Sequence, residues 1–260
     1  MTPRLVATDL DGTLVRRDGS VSSYTREVLA ALDLRGVPVI FVTGRPLRWT
    51  TPVFEHVGSH GLAIVSNGAM VWDVAEHLPR MTRAMEGDVA LEVAERIRTA
   101  VPGSMFGAER ADGFVTEPGF PTGPEIGATA TLAELTGEPM LKLLALHPDL
   151  EPDDYWRRAE AAVGDLATVT HSSTFALLEI SARGVTKAAT LAEVCASLGV
   201  DARDVIAFGD MPNDLAMLTW AGRSYAMADA HPEVIACAAH LAPSHEDDGV
   251  ARVLAEVFGL

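Results

Sequence analysis

The opening strand and the loop that follows it constrain this chain more than any other stretch. Residues 5–14 read Leu-Val-Ala-Thr-Asp-Leu-Asp-Gly-Thr-Leu, an apolar run that stops at two aspartates and a glycine. This pattern predicts a buried parallel strand that carries carboxylates at its C-terminal end, where open α/β sheets bind ligands. Asp9 and Asp11 are two positions apart, so both side chains should lie on the same side of an extended backbone. The stretch therefore predicts a site for a small ligand, with Asp9 as the candidate nucleophile.

Two other interpretations of this loop compete with a catalytic one. An acidic loop at the end of a strand can lack any chemistry, and the loop alone leaves this possibility open. The order Asp-x-Asp-Gly is also similar to the start of an EF-hand calcium loop. Counted from Asp9, however, the sixth position is Leu14 instead of Gly and the twelfth is Ser20 instead of Glu. The spacing argues against a calcium loop.

Composition limits the classes of partner and compartment. The chain has 260 residues and a formal net charge of −16, whereas counterion release on nucleic acids needs clustered Lys and Arg. No apolar run approaches the ~18 residues of a membrane span, and no signal segment precedes the first strand. Cys195 and Cys237 fit a reduced compartment, and we expect both to be buried. We therefore expect a cytoplasmic protein with neither a nucleic-acid nor a membrane partner.

Strand and helix patterns alternate in the first and last parts of the chain. After the opening strand, apolar strands at 37–42 and 62–65 alternate with helices at 23–35 and 46–57. Each strand closes on a polar or glycine-containing loop, and the same alternation returns from residue 186 onwards. These features predict an α/β core, a doubly wound, Rossmann-like parallel sheet.

The middle of the chain has a different character. Between about residues 83 and 183, helices at 87–100 and 153–163 are interspersed with short strands in no regular order, which is typical of an α+β arrangement. We therefore predict two domains. Residues 1–82 and 184–260 form the core, and residues 83–183 form an inserted α+β domain.

Four loops should meet at the C-terminal edge of the predicted sheet. Their polar residues are Asp9 and Asp11, Thr43 and Gly44, Lys187, and Asp210, Asn213 and Asp214. Two carboxylates about 4 Å apart repel each other by roughly 4 kcal/mol at an effective dielectric constant of about 20, so a cluster of this size needs a cation. Oxygen ligands without paired His or Cys favour a hard ion, and a half-open site suits Mg²⁺ better than Ca²⁺.

The same loops also offer positive charge and hydrogen-bond donors. Lys187 supplies an ammonium group, while Thr43 and the Gly44 amide supply donors. A cation, a lysine and converging donors together suit a phosphoryl group. The extra carboxylate of Asp9 can then attack phosphorus and form an aspartyl-phosphate. The residues therefore predict phosphoryl transfer.

These segments resemble the four signature motifs of the haloacid dehalogenase (HAD) superfamily of phosphohydrolases. The matching stretches are DLDGTL at 9–14, VTGR at 42–45, GVTK at 184–187 and GDMPND at 209–214. The stretch Ser66-Asn67-Gly68-Ala69, and an insertion between the second and third motifs, resemble the Cof-type branch with a type IIB cap. The resemblance implies a HAD-like hydrolase core and an inserted cap that determines substrate specificity.

The resemblance also implies a role for each matching residue. Asp9 would be the nucleophile and a Mg²⁺ ligand. Asp11 would be the general acid that protonates the leaving alcohol and then activates water, while its backbone carbonyl meets the metal. Thr43 and Lys187 would hold the phosphoryl oxygens, and Asn213 would be a further contact.

The resemblance assigns the remaining acidic residues to the metal. Asp210 would complete the Mg²⁺ site, and Asp214 would support it directly or through water. For two nearby residues the sequence is compatible with two roles each. Arg45 either meets an anion of the substrate or forms a surface ion pair, and Asn67 either lines the site or only forms a turn.

Together these features predict a Mg²⁺-dependent phosphatase. It would act on small phosphorylated metabolites, such as sugar phosphates or related cofactors, through an aspartyl-phosphate, as a monomer or weak homodimer. One alternative is a dedicated biosynthetic phosphatase for a glycosyl-glycerate or disaccharide phosphate, and another is a phospho-ligand sensor without turnover. The chain lacks G-x-x-x-x-G-K-[ST] and G-x-S-x-G, which argues against a P-loop NTPase and a serine hydrolase.

Overall fold

The structure is a computed structural model that describes residues 2–57, 61–111, 113–121 and 128–260. The chain forms two compact units. The first consists of Met1–Met81 with Lys187–Leu260, and the second of Thr82–Thr186. The domain boundaries expected from the sequence, 82/83 and 183/184, lie one and three residues away from these. In the described ranges, every helix is too short or too polar to span a lipid bilayer.

Strands and helices alternate along most of the described chain. The strands are β1 (Leu5–Thr8), β2 (Val39–Val42), β3 (Leu62–Val65), β4 (Met70–Asp73), β5 (Leu78–Thr82), β6 (Met105–Glu109), β7 (Phe114–Thr116), β8 (Lys142–Leu146), β9 (Ala167–Thr170), β10 (Leu177–Ala182), β11 (Val205–Gly209), β12 (Arg223–Met227) and β13 (His240–Ala242). The α-helices are α1 (Ser23–Leu34), α2 (Leu47–Val57), α3 (Gly87–Ala100), α4 (Leu132–Leu135), α5 (Pro152–Val163), α6 (Lys187–Ser197), α7 (Leu215–Trp220), α8 (Pro232–Cys237) and α9 (Gly249–Phe258).

The sheet of the first unit is mainly parallel. Its strand order within the described residues is β13-β12-β11-β1-β2-β3-β4-β5. Neighbouring strands from β13 to β3 run parallel, and β4 is antiparallel to β3. All residues of β1 are buried, and Ala7 lies between Ala207 on one side and Ile40 on the other. A strand covered on both faces needs such a continuous apolar sequence. The predicted doubly wound α/β core is confirmed.

Amphipathic helices pack against this sheet. Helix α1 follows Ser22, whose side chain accepts a hydrogen bond from the N–H of Thr25 and so caps the first turn. The buried residues Val28, Leu29 and Leu32 recur at helical spacing and form one apolar face. Helix α1 contacts α2, α9 and strand β2, while α6 contacts α7 and β3, and α7 contacts α8 and β11. The helices thus form two groups that pack on the sheet.

The second unit has an antiparallel sheet and its own core. The strand order is β7-β6-β8-β10-β9, and α3 packs against α5. Along β8, Leu143 and Ala145 belong to the apolar core, while Lys142 lies on the opposite face of the sheet because side chains alternate. Helix α3 contributes Val93 and Ile97 to the same core. The second unit is α+β, as the sequence predicts.

Three strands and one cysteine differ from the expectations. The sequence analysis did not predict β4, β5 or β13. Strand β5 is largely exposed and contains Pro79, which sheets tolerate at an edge, and β13 has only 3 residues. Cys195 is buried, but Cys237 is exposed, so the prediction of burial was wrong for Cys237. It ends α8, a surface helix in which Val234 is the buried residue.

The strand order brings the candidate site residues to one edge of the sheet. Strands β11, β1 and β2 are parallel neighbours, so their C-terminal ends meet. Asp210, Asp9 and Thr43 each come directly after one of these strands, and Ser66 comes directly after β3. Ligands of open α/β sheets bind at this edge.

Candidate active site

Asp9 lies where the chain leaves the sheet. It is only 5% exposed, and its N–H donates to the carbonyl of Phe208 in β11 at 3.1 Å. This bond continues the β1–β11 pairing by one residue and fixes the backbone of Asp9. The carboxylate of Asp9 is held by an ion pair in which Oδ1 lies 2.6 Å from Nζ of Lys187.

Lys187 joins two of the acidic loops. It is the first residue of α6, it is buried, and Nζ donates to Asp9 Oδ1 at 2.6 Å and to Asp214 Oδ1 at 2.7 Å. Burial alone would lower the pKa of Lys187, but the charges of Asp214 and Asp9 outweigh it, and the pKa is raised. Lys187 therefore stays charged and ties α6 to the ends of β1 and β11.

The loop after β11 supplies Asp210 and Asp214. Asp214 is fully buried, and its Oδ2 accepts hydrogen bonds from the N–H groups of Asp210 at 3.1 Å and Met211 at 3.2 Å. Asp210 accepts a hydrogen bond from the hydroxyl of Thr13 at 2.9 Å. These bonds fix the orientation of both carboxylates without a substrate.

Two glycines allow the acidic loops to approach each other. A Cβ atom on Gly12 would lie 2.2 Å from Oδ2 of Asp210, and Gly12 has a φ of +70°. A Cβ atom on Gly209 would lie 2.6 Å from the Cβ of Asp214. Any side chain at either position would therefore displace a carboxylate of the site.

Three carboxylates of the site fit a divalent cation. Asp9, Asp210 and Asp214 each offer an oxygen, and these oxygens lie within 4.8 Å of one another. Burial raises the pKa of Asp9 well above its ordinary value; Lys187 opposes this rise, and the charges of Asp214 and Asp210 add to it. Burial and the charge of Asp214 raise the pKa of Asp210 to about 7. One lysine does not balance three buried carboxylates, and an all-oxygen ligand set suits a hard cation.

The carboxylate of Asp11 lies outside this group. Its side chain is 58% exposed, and both of its oxygens accept hydrogen bonds from the guanidinium of Arg45, with an Nε–Oδ2 distance of 2.7 Å. Strand β1 ends at Thr8, so the strict alternation of side chains does not extend to Asp11. Of the two interpretations of Arg45, the structure shows an ion pair.

Thr43 and Asn213 are linked through the loop after β3. Thr43 is fully buried, its carbonyl accepts from the N–H of Asn67 at 3.0 Å, and its hydroxyl accepts from the N–H of Arg45 at 3.0 Å. The side-chain amide of Asn213 donates to Oδ1 of Asn67 at 3.1 Å. Gly44 lies between Thr43 and Arg45 in the loop after β2.

The structure thus brings most of the candidate residues together, either in direct contact or through one shared neighbour. Lys187 donates hydrogen bonds to Asp9 and Asp214, and Asp214 accepts one from the backbone of Asp210. Thr43 and Asn213 are joined through Asn67, whereas Asp11 is turned to Arg45. The sequence analysis did not single out Thr13, although it lies inside the first motif. It also did not decide between two roles for Asn67, although Asn67 lies in the turn after β3, at the same C-terminal edge of the sheet.

Comparison with known proteins places this geometry in a family. The family model of haloacid dehalogenase-like hydrolases matches residues 6–254, and the chain belongs to this family. The HMP-PP phosphatase of Yersinia pestis (strain Pestoides F) is 31% identical over 245 residues, which cover 89% of this chain and 86% of that protein. The 5-amino-6-(5-phospho-D-ribitylamino)uracil phosphatase of Bacillus subtilis (strain 168) is 28% identical over 253 residues, covering 96% and 94%.

A solved structure has the same fold. A sugar phosphatase of HAD subclass IIB superposes with a TM-score of 0.82 at 19% identity, covering 98% of this chain and 99% of that chain. Together with the family match and the phosphatase relatives, this confirms the resemblance inferred from the four motifs. The chain is a phosphatase of the HAD family.

Proposed function

We propose that this phosphatase hydrolyses phosphate monoesters of small metabolites, with Mg²⁺ as the cofactor and Asp9 as the nucleophile. The observation that carries the proposal is the set of buried carboxylates around Lys187, whose Nζ lies 2.6 Å from Asp9 Oδ1 and 2.7 Å from Asp214 Oδ1. This arrangement offers a nucleophilic oxygen, a fixed positive charge and oxygen ligands for a cation in one place. Metal-assisted phosphoryl transfer through an aspartyl-phosphate uses these three components together.

In the first half of the reaction, an oxygen of Asp9 attacks the phosphorus of the ester. A bond forms between this oxygen and phosphorus, and the bond between phosphorus and the ester oxygen breaks. The departing alcohol oxygen takes a proton from Asp11. Lys187, together with donors from Thr43 and Gly44, stabilises the charge on the phosphoryl oxygens.

In the second half, water attacks the phosphorus of the aspartyl-phosphate. The carboxylate of Asp11 takes a proton from this water, the bond between Asp9 and phosphorus breaks, and inorganic phosphate leaves. In the structure, both oxygens of Asp11 are bound to Arg45. An oxygen of Asp11 therefore has to exchange its hydrogen bond from Arg45 for one with the leaving alcohol or the attacking water.

The cation would be held by Asp9, Asp210 and Asp214, and, as the family resemblance implies, by the backbone carbonyl of Asp11. Bound there, Mg²⁺ supplies charge stabilisation for the phosphoryl oxygens. These ligand side chains are already oriented without the cation. Backbone N–H groups hold Asp214, and the hydroxyl of Thr13 holds Asp210.

We propose that the second unit, Thr82–Thr186, acts as the cap that selects the substrate. Sugar phosphates or related cofactors are the substrate class we favour. The names of similar proteins support this range, since they include a sugar phosphatase, an HMP-PP phosphatase and a 5-amino-6-(5-phospho-D-ribitylamino)uracil phosphatase. A phosphatase dedicated to one pathway is the second candidate, because two of these names specify a single substrate.

Phosphate release from a panel of phosphate esters and one diphosphate tests the proposal. The panel contains sugar phosphates, nucleotides, HMP-PP, 5-amino-6-(5-phospho-D-ribitylamino)uracil and p-nitrophenyl phosphate, each with Mg²⁺ and with EDTA. Asp9→Asn is the matched control, because it keeps the shape of the side chain and removes the charge of the nucleophile. We expect release that needs both Mg²⁺ and Asp9.

The pattern across the panel separates the candidates. Release from many esters supports a broad metabolite phosphatase, and one dominant substrate supports a dedicated enzyme. Release that persists in EDTA or in Asp9→Asn would contradict the mechanism. Binding without release would favour a sensor of phosphorylated ligands.

A further inference from the structure

The turn directly after β3 has an unusual backbone. Ser66 and Asn67 both have positive φ values, 50° and 56°. Residues other than glycine seldom adopt this region of backbone conformation. Both residues are buried, at 0% and 3% exposure. Such conformations persist only where the surroundings hold them, and they cluster at functional sites. The turn is therefore a candidate for a role in the site next to it.

The turn is fixed to two elements of the active site. The N–H of Asn67 donates to the carbonyl of Thr43 at 3.0 Å. The carbonyl of Gly68 accepts a buried hydrogen bond from the hydroxyl of Thr190 at 2.8 Å, and Thr190 belongs to α6, which begins with Lys187. These bonds hold Asn67 between the loop after β2 and the helix that carries the lysine.

The side chain of Asn67 is only partly satisfied. Its Oδ1 accepts a hydrogen bond from Nδ2 of Asn213 at 3.1 Å, and both residues are buried. Its Nδ2 is buried and has no hydrogen-bond partner among the described residues. Buried amide groups in native proteins nearly always have partners, so an unpaired donor at this place calls for an acceptor. The bond from Asn213 fixes the amide and leaves the buried Nδ2 unpaired among the described residues.

We infer that Asn67 is a further substrate-binding residue, whose side-chain N–H groups donate to an oxygen of the phosphoryl group. The phosphoryl group carries charge on three equatorial oxygens in its transition state, and these oxygens only accept hydrogen bonds. Ionised carboxylates only accept hydrogen bonds, and Lys187 is already paired with Asp9 and Asp214, so a neutral amide donor suits this place. Asn213 positions Asn67 through the bond to Oδ1. The inference rests on the phosphoryl site proposed above.

Two substitutions at position 67 distinguish the role of the side-chain amide from the role of the backbone turn. Asn67→Gly accepts the positive φ and removes the side chain, so the turn should persist. Asn67→Asp keeps the shape and the acceptor for Asn213 but has no N–H and adds a negative charge. Inorganic phosphate in the presence of Mg²⁺ is the probe, its Kd is measured by calorimetry, and KM and kcat are measured with p-nitrophenyl phosphate.

We expect Asn67→Gly to raise the Kd for phosphate about tenfold and Asn67→Asp to raise it about 100-fold, the range expected for losing a hydrogen bond to a charged group. KM should rise in parallel. Thr190→Val is the structural control, because it removes a bond that holds the turn and keeps the amide. It should leave the Kd within about twofold of wild type.

Three results would overturn the inference. These are wild-type Kd values in both Asn67 variants, an equal loss in Thr190→Val and Asn67→Asp, or no phosphate binding by the wild-type protein with Mg²⁺. The proposed function fails separately, if the wild-type protein releases no phosphate from any ester. If phosphate still binds and Asn67→Asp weakens it, the inference about Asn67 stands without the turnover.

Discussion

Nζ of Lys187 lies 2.6 Å from Oδ1 of Asp9, although the two residues are 178 positions apart in the chain. The contact joins the start of α6 to the end of β1, and the two side chains are 1% and 7% exposed. The same ammonium group also binds Asp214. One buried positive charge therefore orients the candidate nucleophile and a candidate metal ligand before any substrate binds.

Lys187→Met should leave buried carboxylates without compensation. Removing one partner of a buried ion pair typically destabilises a protein by about 3–5 kcal/mol, and we expect a loss of this size in EDTA. Mg²⁺ should restore part of the lost stability, because the cation replaces the missing charge. Urea unfolding with EDTA and with Mg²⁺ measures both effects, and phosphate release should be lost in either condition.

Lys142→Met provides the matched control. Nζ of Lys142 lies 2.6 Å from Oε1 of Glu179 in a buried ion pair of the second unit. This variant should also lose stability in EDTA, but Mg²⁺ should not restore it. Equal recovery of both variants with Mg²⁺ would contradict a cation site beside Lys187.

The stability of the metal-free protein should depend on the ionisation of Asp210. Burial raises the pKa of Asp210 from 3.8 to about 7 in the folded protein, and the charge of Asp214 adds to the rise. The folded protein therefore keeps a proton that the unfolded chain releases at lower pH. The contribution of Asp210 to the free energy of unfolding thus becomes less favourable as the pH rises from about 4 to about 7.

Asp210→Asn isolates this contribution, because asparagine does not ionise. In EDTA, the variant should gain stability relative to wild type as the pH rises through this window, and the difference should level off above about pH 7. Mg²⁺ should remove the advantage, because the cation takes the place of the proton. Thermal melts across the pH range measure the difference. A difference that is constant with pH would contradict a pKa of Asp210 that is raised by burial and by the charge of Asp214.

Gly12→Ala tests the close approach of the loop after β1 to Asp210. A methyl group at Gly12 would lie 2.2 Å from Oδ2 of Asp210, so we expect phosphate release to fall at least about tenfold and the Mg²⁺ requirement to rise. Gly19→Ala is the control. Gly19 also has a positive φ, +83°, but in the described part of the chain no atom lies within 4 Å of its added Cβ.

Both alanines adopt a left-handed backbone, which costs about 1–2 kcal/mol, so both variants should lose some stability. Only Gly12→Ala should also lose phosphatase activity. Equal activity in the two variants would show that the approach of Gly12 to Asp210 does not matter for the reaction.

The elements with long periodic patterns were predictable from the sequence. Helix α3 spans Gly87–Ala100, the range predicted from its apolar residues, and the continuous apolar run of β1 correctly indicated a central strand. The short strands were not. Strand β5 has a mostly exposed sequence with Pro79, and three-residue β13 is too short for any periodicity to register.

The location of the candidate site was also predictable, but its side-chain contacts were not. Parallel strands that end in polar loops place those loops at one edge of the sheet, whatever the details. The hydrogen-bond partner of a side chain depends on its rotamer and on residues that are far away in the chain. Asp11 binds Arg45, 34 positions away, and Thr13 binds Asp210, 197 positions away. No local pattern carries that information.

Asp11→Asn should separate the two halves of the reaction. With p-nitrophenyl phosphate, whose leaving group needs little help from an acid, the first half should continue at a reduced rate. The second half should slow far more, because asparagine cannot take a proton from water. Rapid-quench kinetics should then show a burst of p-nitrophenol, about one equivalent per enzyme, followed by slow turnover. Equal slowing of both phases would contradict the role of Asp11 as the base.

The most direct test of the account is to trap the aspartyl-phosphate. Asp11→Asn is mixed with p-nitrophenyl phosphate and Mg²⁺, quenched, and treated with borohydride, which reduces an acyl-phosphate on aspartate to homoserine. Peptide mass spectrometry should find homoserine at position 9, and none in EDTA or in the Asp9→Asn protein. Turnover by the wild-type protein with no modification at position 9 in any sample, or with modification at another residue, would contradict Asp9 as the nucleophile.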